Sequence, residues 1–273
     1  MKHPREVLLG AQAAARVLPV CDHYSGVEVR MRKSLQLQAE LHQEFGVGVM
    51  DVTLDCEDGA PVGGEKDHAE LVVSLATSAS SDARIAVRVH PLGHPAFEQD
   101  IAILVGRAPS RWCHIMLPKA ESVADIHAAV QAIDAAGGAH LPLHALIESP
   151  LAVHNAFDIA AHPRVQSLSF GLMDFVSAHG GAVPASAMGA AGQFSHPLVV
   201  QAKHALLHVL FLTRTKKNGN WRGHATDRPV EWVPSRLQQP LAKYPQLARP
   251  QPLKEKTPPR WDALGLGECS TCA

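Results

Sequence analysis

Through its first 212 residues the chain alternates short apolar runs with longer amphipathic stretches. A parallel strand covered on both faces reads as a near-continuous apolar run, and a helix lying on such a sheet reads as a one-sided stripe. Repetition of that pair predicts βα units and a parallel sheet. Strands are expected at 16–20, 49–54, 85–89, 114–117, 143–147 and 166–170, and helices at 30–45, 66–77, 95–104, 122–136 and 151–160. Ser122 followed by Asp125 reads as a helix start with an acidic first turn, and Gly137-Gly138 as that helix's end. Six βα units are countable before Leu212, whereas a closed barrel needs eight.

Composition narrows the function classes. At 273 residues with a formal charge of −1, the chain is long enough for one barrel and carries no global field for nucleic acid or an anionic membrane. No apolar run approaches the roughly 20 residues needed to span a bilayer. The weak apolar stretch after Met1, Lys2 and Arg5 is interrupted by Glu6 and Arg16, so a cytoplasmic protein is expected. The five cysteines form no disulfide framework, and Cys21, Cys56 and Cys113 lie in strand-like contexts as reduced core residues.

Polar residues recur at successive strand ends. Asp55, Glu57 and Asp58 follow the second strand, Arg88 and His90 end the third, Lys119 follows the fourth, Glu148 the fifth and Asp174 the sixth. In a parallel barrel these ends converge on one mouth, which is where active sites are built. Glu148 and Asp174 together offer the one or two carboxylates that Mg²⁺ prefers; alternatively each caps a helix N-terminus. Arg88 enters an otherwise apolar strand, suited either to a substrate carboxylate or developing enolate oxygen, or to a buried ion pair with Asp55 or Glu57.

Five segments, in order, resemble the citrate lyase β-subunit/HpcH–HpaI aldolase superfamily across roughly residues 15–205. They are Leu54-Asp55-Cys56-Glu57-Asp58-Gly59-Ala60-Pro61 with Lys66 after it, Val87-Arg88-Val89-His90, His114 to Ser122, Leu146-Ile147-Glu148-Ser149, and Phe170-Gly171-Leu172-Met173-Asp174. The resemblance implies a (β/α)₈ TIM barrel and Mg²⁺-dependent retro-aldol or Claisen cleavage of a 3-hydroxyacyl-CoA-like thioester, of citryl or malyl type. It implies Glu148 and Asp174 as metal ligands and Arg88 and Glu148 as catalytic residues. Arg88, Glu148, Asp55, Glu57 and Lys119 would bind the substrate or organise those that do. The implied partner is a small molecule, a CoA thioester or a hydroxy or oxo acid, with no nucleic acid and no membrane, in a homo-oligomer of three or more chains. An aldolase acting on free 2-oxo acids and an inactive homologue keeping the metal site are the alternatives.

The chain departs from the resembled pattern in places. His90 stands where Asn is common. The other histidines, His94, His114, His140, His144, His154 and His162 among them, show no paired motif such as HExxH and read as surface or supporting residues. Cys269-Ser270-Thr271-Cys272 is a lone CxxC and reads as a terminal tail rather than a zinc site.

A compositional seam falls near Leu212. Residues 1–212 hold 14 Lys/Arg and 21 Asp/Glu, a balance of −7; residues 213–273 hold 11 and 5, a balance of +6, with eight of the 20 prolines. The lyase domain is therefore placed at 1–212, with the barrel incomplete or divergent after its sixth unit, and 213–273 reads as a basic, Pro-rich segment. A divergent extension, two unrecognised strands and a coding frame shifted near residue 204 are the three explanations. The abruptness of the change favours the third.

Overall fold

A computed structural model describes Pro19 and residues 21–218, with side chains described as far as Val209. Six strands form one all-parallel sheet in the order β1-β2-β3-β4-β5-β6. They are β1 Cys21–Ser25, β2 Met50–Asp55, β3 Ile85–Arg88, β4 Trp112–Leu117, β5 Leu143–Ile147 and β6 Val165–Phe170. Between them run α1 Glu28–Phe45, α2 Glu65–Ser78, α3 Phe97–Asp100, α4 Val123–Ala135 and α5 Pro150–Ala161. A π-helical turn, Ile101–Val105, extends α3 and buries four of its five side chains. Each strand pairs with the next in sequence, so all C-terminal ends lie at one edge.

The sheet curls into part of a barrel. In a flat sheet β1 and β4 would lie about 14 Å apart, at roughly 4.8 Å per strand. Instead the Tyr24 hydroxyl of β1 donates to Met116 Sδ of β4 at 3.7 Å. The sheet is thus curved about its concave face, and β2, β3 and β5 are buried along their whole length.

Local signals explain the helix boundaries. Ser122 and Asp125 form a reciprocal capping box at the start of α4, and Gly137 turns left-handed (φ 93°) just past its end. Ser149 caps α5 by accepting the Ala152 N–H at 3.0 Å, with Pro150 in the first turn.

One strand is displaced from its expected place. The first strand is Cys21–Ser25, one step beyond the apolar run at 16–20, which apart from Pro19 lies outside the described residues. Its Asp22 and Tyr24 break the apolar pattern because the concave face here is polar, His23 between them is exposed, and β2 likewise buries Asp51 and Thr53. Beyond the compositional seam the described residues continue only to 218. After β6 come α6 Leu172–Ser177, a 3₁₀ turn at Ala185–Met188, the one-turn α7 Gly192–Ser195 and then α8 Pro197–Asn218, which runs through the seam.

Among the described residues there is no seventh strand, so the eight-unit closure is not seen in them. The start of α8 buries Val199 and Ala202 with Phe175, Val176, Val183 and Ala187, with Val153 of α5 and Phe170 of β6 packed against that cluster. The remainder of 213–273, including Cys269 and Cys272, lies outside the described residues.

Candidate active site at the C-terminal strand ends

The site begins with the turn after β2. Asp55 Oδ1 accepts the Glu57 N–H at 3.0 Å, a short-range bond that fixes the acidic loop. His68 Nε2 lies 2.9 Å from the Asp55 carbonyl oxygen and pins the same turn from α2. Gly59 is required because a Cβ there would collide with the Asp55 carbonyl and with Gly26 beneath it. Asp55, Glu57 and Asp58 are thereby aimed at the end of β3, where Asp55 pairs in register with Arg88.

Arg88 is held by all three carboxylates. Its Nε and Nη2 donate to Asp55 at 2.7 and 2.5 Å, Nη2 donates also to Asp58 at 2.6 Å, and Nη1 lies 2.6 Å from Glu57 Oε2. The side chain is 11 % exposed, so burial works against the charge. The bonds from Asp55 and the charge of Glu57 outweigh that and lift the guanidinium further above its ordinary value. The ion pair left open by the sequence is thus formed, with Asp58 as a third partner. Three of the five N–H donors are committed, and those on Nη1 make no hydrogen bond among the described residues although Glu57 lies beside them. Tyr24 lies 5.8 Å beneath the guanidinium; the misplaced first strand hid it from sequence reasoning.

The second half of the site comes from β4, β5 and β6. Glu148, just past β5, is 5 % exposed and accepts the Lys119 main-chain N–H on Oε1 at 2.7 Å. Burial, reinforced by the nearby charges of Asp174 and Glu57, pushes its carboxyl up to about 7. Lys119 Nζ sits 2.6 Å from Glu57 and 3.4 Å from Asp174, and Asp174, in the first turn of α6, is half-exposed. The ammonium therefore joins the acidic loop to the sixth strand end. Gly171, whose role the sequence did not reveal, lets the backbone pass against Glu148, since a Cβ there would meet Glu148 Oε2 and Cβ.

Lys119, Glu121, Glu148, Ser149, Ala152, Asp174 and Ala178 line a cleft of about 270 Å³. Ser149 Oγ donates to Glu121 at 2.7 Å, and Asn155 donates to the Glu121 carbonyl at 2.8 Å, so the floor is tied to α5. All the strand-end residues singled out from the sequence converge at this edge except His90. His90 turns inward, with its Nδ1 2.7 Å from Asp100 Oδ2, and stacks on His94. His68, His114 and His144 are buried as well, whereas His94, His140 and His154 are exposed and His162 is half-buried.

Comparison with known proteins identifies the family. The family model described as HpcH/HpaI aldolase/citrate lyase matches residues 36–210. The chain belongs to the HpcH/HpaI aldolase/citrate lyase family. An L-malyl-CoA/β-methylmalyl-CoA lyase from Cereibacter sphaeroides is 31 % identical over 148 residues, which is 51 % of this chain and 46 % of that one. The chain thus spans about half the length of the curated relatives it matches. A citrate lyase from Burkholderia xenovorans superposes with TM-score 0.65 at 43 % identity, over 72 % of this chain and 62 % of that one. The protein CitE of Mycobacterium tuberculosis, solved with magnesium, acetoacetate and coenzyme A, shares the fold. Its TM-score is 0.55 at 21 % identity, over 72 % of this chain and 63 % of its own.

Proposed function

We propose that this protein is a Mg²⁺-dependent carbon–carbon lyase acting on a 3-hydroxyacyl-CoA-like thioester of malyl or citryl type. The observation that carries the reading is the convergence of Glu57, Glu148 and Asp174 around Lys119 beside the Arg88 cluster. The residues fit a hard divalent cation. Glu148 is buried with one oxygen already oriented by a backbone N–H, and burial, with the charges of Asp174 and Glu57 nearby, makes its ionised form costly unless a cation joins it. Glu148 and Asp174 would hold the ion, which when bound would supply Lewis-acid stabilisation of developing enolate charge.

The chain's own residues account for the rest. Lys119 neutralises Glu57 and Asp174 in the cation's absence and becomes available to a substrate carboxylate in its presence. Arg88, locked by its hydrogen bonds to Asp55 and Asp58, presents the N–H groups of Nη1 from a fixed position. A preorganised donor of this kind stabilises charge without reorganising during the reaction. For a malyl thioester, the hydroxyl loses its proton as the adjacent C–C bond breaks, giving glyoxylate. The enolate left on the thioester takes up a proton to become acetyl-CoA. The L-malyl-CoA lyase relative supports this substrate class. The reading includes a cytoplasmic homo-oligomer, to be checked by light scattering.

The test is thermal unfolding of the wild type and of Glu148→Gln with and without Mg²⁺, joined to an assay for glyoxylate from L-malyl-CoA. At about 100 times its dissociation constant the ion should stabilise the native state by roughly 2.7 kcal/mol. A response lost in Glu148→Gln, together with turnover, supports the lyase. A response with turnover only of free 2-oxo acids identifies an aldolase instead. A midpoint indifferent to Mg²⁺ would sink the assignment.

A further inference from the structure

Beneath the mouth lies a hydroxyl without a strong acceptor. Tyr24 is the next-to-last residue of β1 and pairs in register with Thr53 of β2. Side chains alternate along a strand, so Thr53 and Asp55 share a face and lie about 7 Å apart along it. Tyr24 therefore stands on the concave face, one layer beneath the Asp55 carboxylate. The Arg88 guanidinium carbon sits over its ring, 5.8 Å from the centroid. Its hydroxyl crosses β2 and β3 to reach Met116 of β4, the residue paired in register with Arg88. The O–H thus ends between the strand that carries Arg88 and the strand that leads to Glu148.

A tyrosine O–H inside a protein ordinarily finds a strong acceptor. Here it has the Met116 thioether at 3.7 Å, which is a weak one. The carboxylates around it are already engaged. Thr53 donates to Asp22 Oδ1, His114 lies 3.5 Å from Asp22 Oδ2, and Arg88 holds both oxygens of Asp55. Burial pushes the Tyr24 phenol up to about 12, the Asp22 charge adding to the effect while the Ser169 hydroxyl and Arg88 oppose it. The phenol therefore keeps its proton through the neutral range. Tyr24 is half-buried rather than sealed, and a hydroxyl rotates to suit its acceptor. Exchanging a thioether for an oxygen that is gaining negative charge makes the hydrogen bond both shorter and stronger.

We propose that Tyr24 is a catalytic hydrogen-bond donor, a role that rests on the lyase reading. Its O–H turns from Met116 to the thioester carbonyl oxygen of the substrate as that oxygen becomes an enolate oxygen. The proton stays on the phenol throughout, so the hydroxyl stabilises charge without entering the proton balance of the cleavage. The Arg88 guanidinium above the ring and the Met116 contact hold the side chain in place before substrate arrives. A donor fixed in this way is worth more to the transition state than to the ground state, because the charge it meets exists only there.

The experiment compares the full-length wild type, Tyr24→Phe and Met116→Leu with L-malyl-CoA and Mg²⁺. Tyr24→Phe keeps the ring under Arg88 and removes only the hydroxyl. Its kcat should fall about 100-fold, as for loss of one oxyanion donor, with KM within about threefold and the Mg²⁺-dependent rise in unfolding midpoint retained. Met116→Leu takes away the resting acceptor at nearly constant volume and should keep kcat within about twofold. A second reading needs no turnover. Tyrosine labelled with ¹³C at Cζ gives one resonance for each of the chain's two tyrosines, and Tyr24→Phe identifies the one at this site. That resonance should shift when acetyl-CoA is added with Mg²⁺. Wild-type turnover with a loss of less than about tenfold in Tyr24→Phe would overturn the role of Tyr24 and leave the lyase standing. An equal loss in Met116→Leu, which would make the hydroxyl a tie between strands, or a resonance indifferent to acetyl-CoA would overturn it too. A wild type that never cleaves the thioester would sink the lyase reading, and this role with it.

Discussion

The main-chain N–H of Lys119 donates a 2.7 Å hydrogen bond to Glu148 Oε1, and Lys119 is the one non-glycine residue with positive φ (52°) among those described. The two facts are one relationship. The turn after β4 must go left-handed to aim that N–H across at the end of β5, while the Lys119 side chain continues to Glu57 and Asp174. Such a backbone costs an L-residue about 1–2 kcal/mol. Strain of this kind persists where the surroundings impose it, commonly at a functional site.

Lys119→Gly and Lys119→Ala separate the backbone from the ammonium. Both remove the charge beside Glu57 and Asp174, so both should bind Mg²⁺ at least as tightly as the wild type, read by isothermal titration. Only the glycine variant relieves the turn. It should be about 1 kcal/mol more stable than the alanine variant in urea unfolding, less whatever its greater unfolded-state freedom removes.

Gly171→Ala tests the seat of Glu148. The added methyl would occupy space now filled by the carboxylate, and overpacking of this kind costs about 1–3 kcal/mol. Its Mg²⁺-dependent rise in unfolding midpoint should be smaller than that of the wild type, because Glu148 must turn away from Lys119.

The Glu148 carboxyl gives the metal-free protein a pH dependence of definite sign. Its folded pKa of about 7 lies above its unfolded value of about 4.5, so the folded state holds the proton more tightly. Stability from this group is present below the unfolded value and is lost as pH rises through about 7, by up to about 3 kcal/mol. Unfolding midpoints of the wild type without Mg²⁺ should fall across that window relative to Glu148→Gln. Mg²⁺ at pH 8 should restore them.

Arg88→Leu leaves Asp55, Glu57 and Asp58 crowded and without their shared cation. Breaking one side of a buried ion pair costs about 3–5 kcal/mol. Arg88→Lys keeps the charge but cannot reproduce the fork that holds Asp55 at both oxygens, so it should recover stability only in part. Denaturant midpoints of the two variants, compared with the wild type, give the measure.

Much of the mouth was legible before any coordinates. Arg88, Lys119, Glu148 and Asp174 were each marked by a polar residue interrupting the end of an apolar run, a pattern that depends only on the parallel βα repeat. Gly171 and Asp100 carried no such mark, because their roles depend on which atom lies opposite. Tyr24 and Asp22 were lost with β1, whose polar composition reflects neighbours three strands away.

By itself the sequence determined the order of six strands and five helices, the capping of α4, and the edge at which the acidic and basic groups gather. These follow from periodicities and caps that act within a few residues. Only the tertiary structure decided that Arg88 pairs with three carboxylates, that His114 meets both His144 and Asp22, and that helices ending in α8 rather than a seventh strand follow β6 among the described residues. Such pairings join positions far apart in sequence, and the curl of the sheet, which no local pattern encodes, brings them within bonding distance.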